Sequence, residues 1–220
     1  MTVHNFSKSF AFGTKAEDFI SELYGNALER TNGRKDDFRF TKGPHAGQGL
    51  ELKTDGYISP NVFIERWSKV AICNPAGEIT TLEYPKPGGM WQTYQNNTPT
   101  FGYFLPMYGK LVIYDTAELI KEVDKIVQRL GLGLVPVENS AGKKGGKYLS
   151  QGYKIPRKEI LIHANIVRAD FLSEEFRDRT GLEIEIDENK AIYKLKDRVF
   201  TFPRGGRVIK DPSWSPFKGK

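Results

Sequence analysis

Two stretches of the chain repeat apolar residues at helical spacing. The first covers residues 13–29, and Thr14 is placed to cap its start. The second covers residues 115–130 and begins with acids, which favour the positive end of a helix dipole. Its apolar face consists of Leu119, Ile120, Val123, Ile126, Val127 and Leu130. Each pattern predicts an amphipathic helix that packs on a core.

Between these two stretches the apolar runs are short or alternating, which is typical of strands. The predicted strands are residues 37–41, 50–53, 62–64, a hairpin over 71–81, 101–105 and 111–114. A short helix over residues 90–97 follows the break at residues 85–89. This order of elements predicts an α/β fold with a mixed central sheet flanked by helices.

The remainder of the chain has a different character. It holds a predicted strand over residues 132–137, a glycine- and lysine-rich segment over 141–147, a helix near 169–179 and alternating runs over 182–186 and 191–195. The sequence therefore predicts an α/β core over residues 1–135. A basic, β-rich extension and tail are expected over residues 136–220.

Charge is distributed unevenly between these parts. Residues 1–139 hold 15 lysines and arginines against 16 aspartates and glutamates, whereas residues 140–220 hold 18 against 11. A basic surface beside an acidic region suits a polyanionic partner that is handled with a metal ion. A net charge of +6 also serves solubility alone, so charge by itself does not identify a partner.

Several classes of protein are excluded by composition. The apolar runs are too short to span a membrane, and the first residues lack the apolar stretch of a signal peptide. The single cysteine, Cys73, has no partner for an internal disulfide, so a cytoplasmic, reducing location is expected. The three histidines are far apart in sequence, which argues against a zinc site.

Two of the predicted strands end in acids. Side chains alternate along a strand, so Glu51, Lys53 and Asp55 share one face of the first of these strands. If the next strand pairs with it antiparallel through the turn at residues 56–60, Glu65 approaches Asp55. Two adjacent carboxylates repel unless a cation lies between them, and Mg²⁺ prefers oxygen ligands. Glu17, on the preceding helix, is placed to add a third oxygen.

These residues resemble the PD-(D/E)xK nuclease superfamily, which includes many restriction enzymes and the phage and archaeal junction-resolving endonucleases. Residues 13–17 (GTKAE) match its GxxxE helix element, Asp55 its lone aspartate and Glu65 the acid of its last motif. The resemblance implies Mg²⁺-dependent phosphodiester hydrolysis, with Mn²⁺ as a substitute. It also implies that Glu17, Asp55 and Glu65 are the metal ligands.

The motif lysine departs from the pattern of the superfamily. Two residues after Glu65 the chain has Trp67, which cannot replace an ammonium group. The superfamily tolerates a lysine that has moved to a neighbouring element, and Lys53 lies on the required face of the adjacent predicted strand. Lys69 is an even number of positions from Glu65 and so shares its strand face, but it lies further along the chain. It is therefore the second choice for the motif lysine.

An alternative alignment takes Asp37 together with Glu51-Leu52-Lys53, which is a literal ExK. It leaves Glu65 unexplained and places the ExK on the second predicted strand, so it ranks below the first alignment. Lys53 belongs to the site in both alignments.

The predicted function is that of a Mg²⁺-dependent DNA endonuclease that is structure-selective or weakly sequence-specific. Lys53, Asp55, Glu65 and Glu17 are the predicted catalytic residues. The predicted phosphate contacts are Lys143, Lys144, Lys147, Arg204 and Arg207. A homodimer that cuts both strands is a further expectation. The rival interpretation is a catalytically inactive member of the same fold that binds nucleic acid or a host protein.

Overall fold

The computed structural model of the chain describes residues 6–31, 35–74, 76, 78–140 and 147–205. The helices are α1 (Phe6–Tyr24), α2 (Gly89–Gln95), α3 (Thr116–Leu130), α4 (Arg157–Ile162) and α5 (Glu174–Thr180). The strands are β1 (Leu28–Arg30), β2 (Phe38–Phe40), β3 (Gly49–Thr54), β4 (Asn61–Cys73), β5 (Ile79–Leu82), β6 (Lys86–Pro87), β7 (Thr100–Leu105), β8 (Lys110–Asp115), β9 (Val135–Ser140), β10 (Lys147–Pro156), β11 (Val167–Asp170), β12 (Glu183–Ile186), β13 (Lys190–Leu195) and β14 (Arg198–Pro203). Within these described ranges, no helix is long and apolar enough to cross a membrane.

The central sheet has six strands in the order β1-β2-β3-β7-β8-β11. Neighbouring strands are antiparallel except β3 and β7, which run parallel. A parallel pair requires a crossover connection, and here the connection carries β4, β5, β6 and α2. The predicted α/β fold, with a mixed central sheet flanked by helices, is confirmed.

Each face of the central sheet is covered by its own hydrophobic core. On one face, α1 packs through Phe19 and Ile20, and strands β12–β14 close the same core through Tyr193. The Phe19 ring lies 4.8 Å from the Tyr193 ring, centroid to centroid. On the other face, α2 and α3 contribute Met90 and Val123, among others. Burial of these large apolar side chains on both faces stabilises the sheet between them.

A second sheet has the order β5-β4-β10-β9, and β6 also pairs with β4. The predicted antiparallel pairing of the strand that contains Lys53 with the strand that contains Glu65 is therefore wrong. The first of these strands, β3, already has β2 and β7 along its two edges. The turn at residues 55–60 consequently leads the chain out of the central sheet, and β4 pairs with β5 and β10 instead.

The C-terminal part of the chain is rich in strands, as predicted. Strands β12, β13 and β14 form an antiparallel sheet of their own. Strands β10 and β11, in contrast, pair with β4 and β8. Strands from both sides of position 135 thus share the central sheet and the second sheet. Strand β10, which lies beyond that position, pairs directly with the strand that carries Glu65.

The predicted bounds of the two long helices, α1 and α3, agree with the structure to different degrees. Helix α1 begins at Phe6, earlier than the predicted start at residue 13, so Thr14 and Glu17 lie within the helix and not in its first turn. Helix α3 agrees with its prediction. The Asp115 side chain caps its N-terminus, and Gly131 ends it in a left-handed conformation.

Candidate functional site

Asp37 is held against β3 through both its backbone and its side chain. Its amide nitrogen donates a hydrogen bond to the carbonyl of Leu50 at 3.0 Å. The amide of Leu52 in turn donates to the Asp37 carboxylate at 2.8 Å. These two bonds fix the Asp37 side chain beside the strand that carries Glu51 and Lys53.

Strand β3 turns Leu50 and Leu52 into the α1 core and exposes Glu51 and Lys53 on its opposite face. The Lys53 ammonium contacts the Glu51 carboxylate. The Lys53 side chain is 45% exposed and that of Glu51 is 19% exposed. The alternation predicted from the sequence is confirmed for these four residues, and it presents an acid and a base side by side at a partly open position.

Asp37 lies among like charges. Burial is the largest cause that raises its pKa, and the charges of Glu51 and Glu17 add to it, so the pKa lies at about 6 instead of 3.8. The Leu52 amide and Lys53 act in the opposite direction. Because the folded-state pKa is raised, this carboxyl group favours folding at low pH and loses that contribution as the pH rises towards 6. At neutral pH, the ionised Asp37 therefore destabilises the folded chain.

Lys53 keeps its positive charge in this setting. Partial desolvation lowers the pKa of its ammonium group, but the charge of Glu51, together with those of Asp37 and Glu65, outweighs it and leaves the pKa raised. Lys53 is thus a permanent cation at neutral pH, with acids on more than one side.

Glu17 contributes charge to the site from α1, but its carboxylate is engaged elsewhere. A nitrogen of Arg30 lies 2.5 Å from it, and the other terminal nitrogen of Arg30 lies 2.5 Å from Asp18. Glu17 still acts on Asp37 through its charge. The structure therefore places Glu17 beside the site, with Arg30 as its immediate partner.

Glu65 reaches the same region from the second sheet. Its Oε2 atom accepts a hydrogen bond from the amide of Gly89, at the start of α2, at 3.4 Å. Burial raises the pKa of Glu65, whereas the bonds from Gly89 and the Ser150 hydroxyl and the charge of Lys53 lower it in part. Of the two acids that the sequence placed together, Glu65 is the one that lies near Lys53.

Asp55 is directed to a different partner. Its carboxylate lies 2.9 Å from Nη2 of Arg157 and accepts a second bond from the amide of Tyr57 at 2.9 Å. Arg157 is buried, with 5% of its side chain exposed, and also donates to the carbonyl of Ser59. Asp55 thus neutralises a buried arginine at the exit from β3, whereas its predicted convergence with Glu65 on one metal ion stays a prediction.

The predicted phosphate contacts fall into two groups. Lys143, Lys144 and Arg207 lie outside the described residues. Lys147 is paired with the buried Glu138 at 3.1 Å, and Arg204 donates to the carbonyl of Glu188 at 3.2 Å. Lys147 and Arg204 therefore have partners within the protein.

The described part of the chain contains no group of three or more Asp, Glu, His or Cys side chains that could enclose a metal ion. The predicted trio of Glu17, Asp55 and Glu65 is therefore not such a group. Each of its acids has a partner of its own, which is Arg30, Arg157 or the Gly89 amide. Magnesium often takes only one or two carboxylates from a protein and completes its shell with water and phosphate oxygens. The charge of Glu51 acts on Asp37, so these two carboxylates lie in one region of the structure.

The residues that the structure brings together are those of the alternative alignment, namely Asp37, Glu51 and Lys53. The literal Glu-x-Lys spacing was the signal that pointed to them. Arg157 and Ser150, which respectively engage Asp55 and Glu65, carried no local signal in the sequence, because each contacts its acid from a distant part of the chain.

Comparisons with known proteins do not extend this description. No family model, curated protein or solved structure matches the chain. Any assignment of function therefore depends on the chemistry of the site formed by Asp37, Glu51 and Lys53.

Proposed function

We propose that the chain is a Mg²⁺-dependent endonuclease that hydrolyses phosphodiester bonds of DNA, with Asp37, Glu51 and Lys53 at its centre. The observation that carries this proposal is the placement of Asp37 against β3, beside the contacting pair of Glu51 and Lys53. Two hard oxygen donors next to a cation are what metal-assisted phosphodiester hydrolysis requires. The order Asp, then Glu-x-Lys, is that of the PD-(D/E)xK nucleases, which the sequence resembles.

The donor set fits a divalent cation. The negative charges of Glu51 and Glu17 both act on Asp37, and Lys53 is the positive charge that offsets them in part. Asp37 and Glu51 would hold the ion, and its charge would offset their repulsion. When bound, Mg²⁺ would polarise a phosphoryl oxygen and promote deprotonation of an attacking water.

The protein side chains have separate tasks in this proposal. The amide of Leu52 keeps the Asp37 carboxylate in one orientation. The partly exposed ammonium of Lys53 stabilises the negative charge that develops on the phosphate oxygens in the transition state. Glu17 is paired with Arg30 and still acts on Asp37 through its charge, so in this proposal it adds to the local field and not to the coordination shell.

DNA as the substrate is supported by charge. The C-terminal residues 140–220 carry 18 basic against 11 acidic side chains. Such an excess attracts a polyanion, and contacts to phosphates position a duplex without reading its sequence. We therefore propose structure-selective or weakly sequence-specific cutting. Among the predicted phosphate contacts, this proposal relies on Lys143, Lys144 and Arg207, because Lys147 and Arg204 are engaged within the protein.

The proposal is tested by incubating the purified full chain with plasmid DNA, branched DNA and RNA, in Mg²⁺, in Mn²⁺ and with a chelator. Cleavage of DNA is expected with either metal ion and is expected to stop when the ion is chelated. The Lys53→Ala variant, purified in the same way, controls for a contaminating nuclease. Binding of DNA with no cleavage of any substrate would contradict the proposal and support the inactive binding protein.

A further inference from the structure

Glu65 enters the site from the second sheet, and a glycine backbone separates it from Lys53. The amide of Gly89 donates to Glu65 Oε2 at 3.4 Å. A Cβ atom placed on Gly89 would lie 3.5 Å from Cε of Lys53. Gly89 thus contacts Glu65 and leaves room for no more than a methyl group between its own backbone and Lys53. The charge of Glu65 acts on the Lys53 ammonium across this narrow space.

Two polar side chains of the second sheet, Ser150 and Asn139, follow one another on the side of Glu65 away from Lys53. Ser150 is only 1% exposed, and its hydroxyl is close enough to Glu65 to lower the pKa of that carboxyl group. The side-chain amide of Asn139 donates to Ser150 Oγ at 2.9 Å. A serine hydroxyl has a single proton to donate, so Ser150 accepts from Asn139 and donates to Glu65. Three strands of the second sheet, β9, β10 and β4, thereby fix the orientation of one carboxylate.

Lys53 needs an anchor of this kind. Its long, flexible side chain loses rotamer entropy when it is held in one place. Its direct contact is Glu51. A carboxylate that gives its oxygens to a divalent cation holds an ammonium less strongly, because the two positive charges compete for it. Asp37, whose charge acts on Lys53 more strongly than that of Glu65, would be engaged by the same ion as Glu51. Of these three acids, Glu65 is then the one that stays available to Lys53.

We propose that Glu65, oriented by Ser150 and Asn139, is a positioning residue that holds the Lys53 ammonium towards the scissile phosphate. This inference rests on the proposed function and deepens it, since it makes the second sheet a working part of the site. It assigns Glu65 a role through Lys53, where the sequence alone had suggested a metal ligand.

The test combines kinetics with a direct view of Lys53. Glu65→Gln is nearly isosteric, removes the negative charge and leaves one oxygen that can accept the bond from the Gly89 amide. Ser150→Ala removes the support behind it. Glu138→Gln, in a buried acid of the same sheet that is paired with Lys147, is the matched control. Each full-length variant is labelled with ¹³Cε-lysine, and the NMR signal of Lys53 is assigned as the one that Lys53→Ala lacks. The kcat and KM values are then measured on the DNA that the wild type cleaves.

The expected result is a shifted Lys53 signal in Glu65→Gln and, to a smaller degree, in Ser150→Ala. We expect kcat to fall on the order of tenfold or more in Glu65→Gln, with KM nearly unchanged and Glu138→Gln like the wild type. An unchanged Lys53 signal would overturn the inference, as would a shifted signal with wild-type kcat. A loss confined to the apparent affinity for Mg²⁺ would make Glu65 a metal ligand instead. If the wild type cleaves nothing, the proposed function fails, and the Lys53 signal alone then decides whether Glu65 orients this side chain.

Discussion

Replacement of Lys53 with alanine is expected to slow Mg²⁺-dependent DNA cleavage by at least about 10²-fold. Lys53 directly contacts Glu51, and its side chain is partly exposed, as the proposed contact with a phosphate requires. Its loss removes stabilisation of the transition state, whereas DNA affinity is expected to change little, because one contact among many is lost. The measurement is single-turnover cleavage at saturating enzyme, with binding determined separately.

The same assay distinguishes the two possible acid sets. The cleavage rates of Asp37→Asn and Glu51→Gln are expected to fall as far as that of Lys53→Ala, because each substitution removes a carboxylate charge from the proposed metal pair. Asparagine at position 37 retains an oxygen that can accept the hydrogen bond of the Leu52 amide, so the fold should persist. Asp55→Asn is the matched control and should keep its cleavage rate at a temperature where it is folded. Loss of activity in Asp55→Asn with full activity in Asp37→Asn would reverse the assignment.

Replacement of Arg157 with methionine is expected to cost about 3–5 kcal/mol of unfolding free energy. The Asp55 side chain is 17% exposed, so without Arg157 it becomes a largely buried carboxylate that has lost its countercharge. The arginine also donates to the carbonyl groups of Ser59 and Tyr57, and its guanidinium stacks on Tyr108 at 4.5 Å from the ring centroid. Urea denaturation followed by circular dichroism measures the loss.

Two further variants separate charge from packing at this position. Adding Asp55→Asn to Arg157→Met should recover part of the lost stability, because no unpaired carboxylate remains. Arg129→Met, which removes an exposed ion pair with Glu159, should cost no more than about 1 kcal/mol. Equal effects of Arg129→Met and Arg157→Met would mean that the ion pair of Asp55 and Arg157 stabilises the fold no more than an exposed pair does.

Local signals in the sequence were sufficient for much of the fold. Helix α3 was predicted correctly because an amphipathic stripe, an aspartate cap and a terminal glycine coincide within one stretch of chain. The faces of β3 followed from simple alternation. Helix α1 was predicted to start too late, because Thr14 resembles a cap although the chain is already helical from Phe6.

Short stretches of sequence do not show which strands pair with each other or which side chains neutralise the acids. Asp37 and Asp55 both stand at ends of short apolar runs, and nothing nearby distinguishes them. The difference lies in a residue 102 positions away from Asp55, because Arg157 neutralises that acid. In the same way, β4 pairs over a long stretch with β10, which follows much later in the chain, and does not pair with β3. The fold class depends on periodicity, whereas the composition of the site depends on these long-range contacts.

The most direct test of the account is the location of a bound metal ion. Crystals of the full chain soaked with Mn²⁺ should show an anomalous peak that is coordinated by carboxylate oxygens of both Asp37 and Glu51, and the peak should disappear in Asp37→Asn. A Mn²⁺ ion coordinated by Asp55 and Glu65, or one that persists unchanged in Asp37→Asn, would contradict the account.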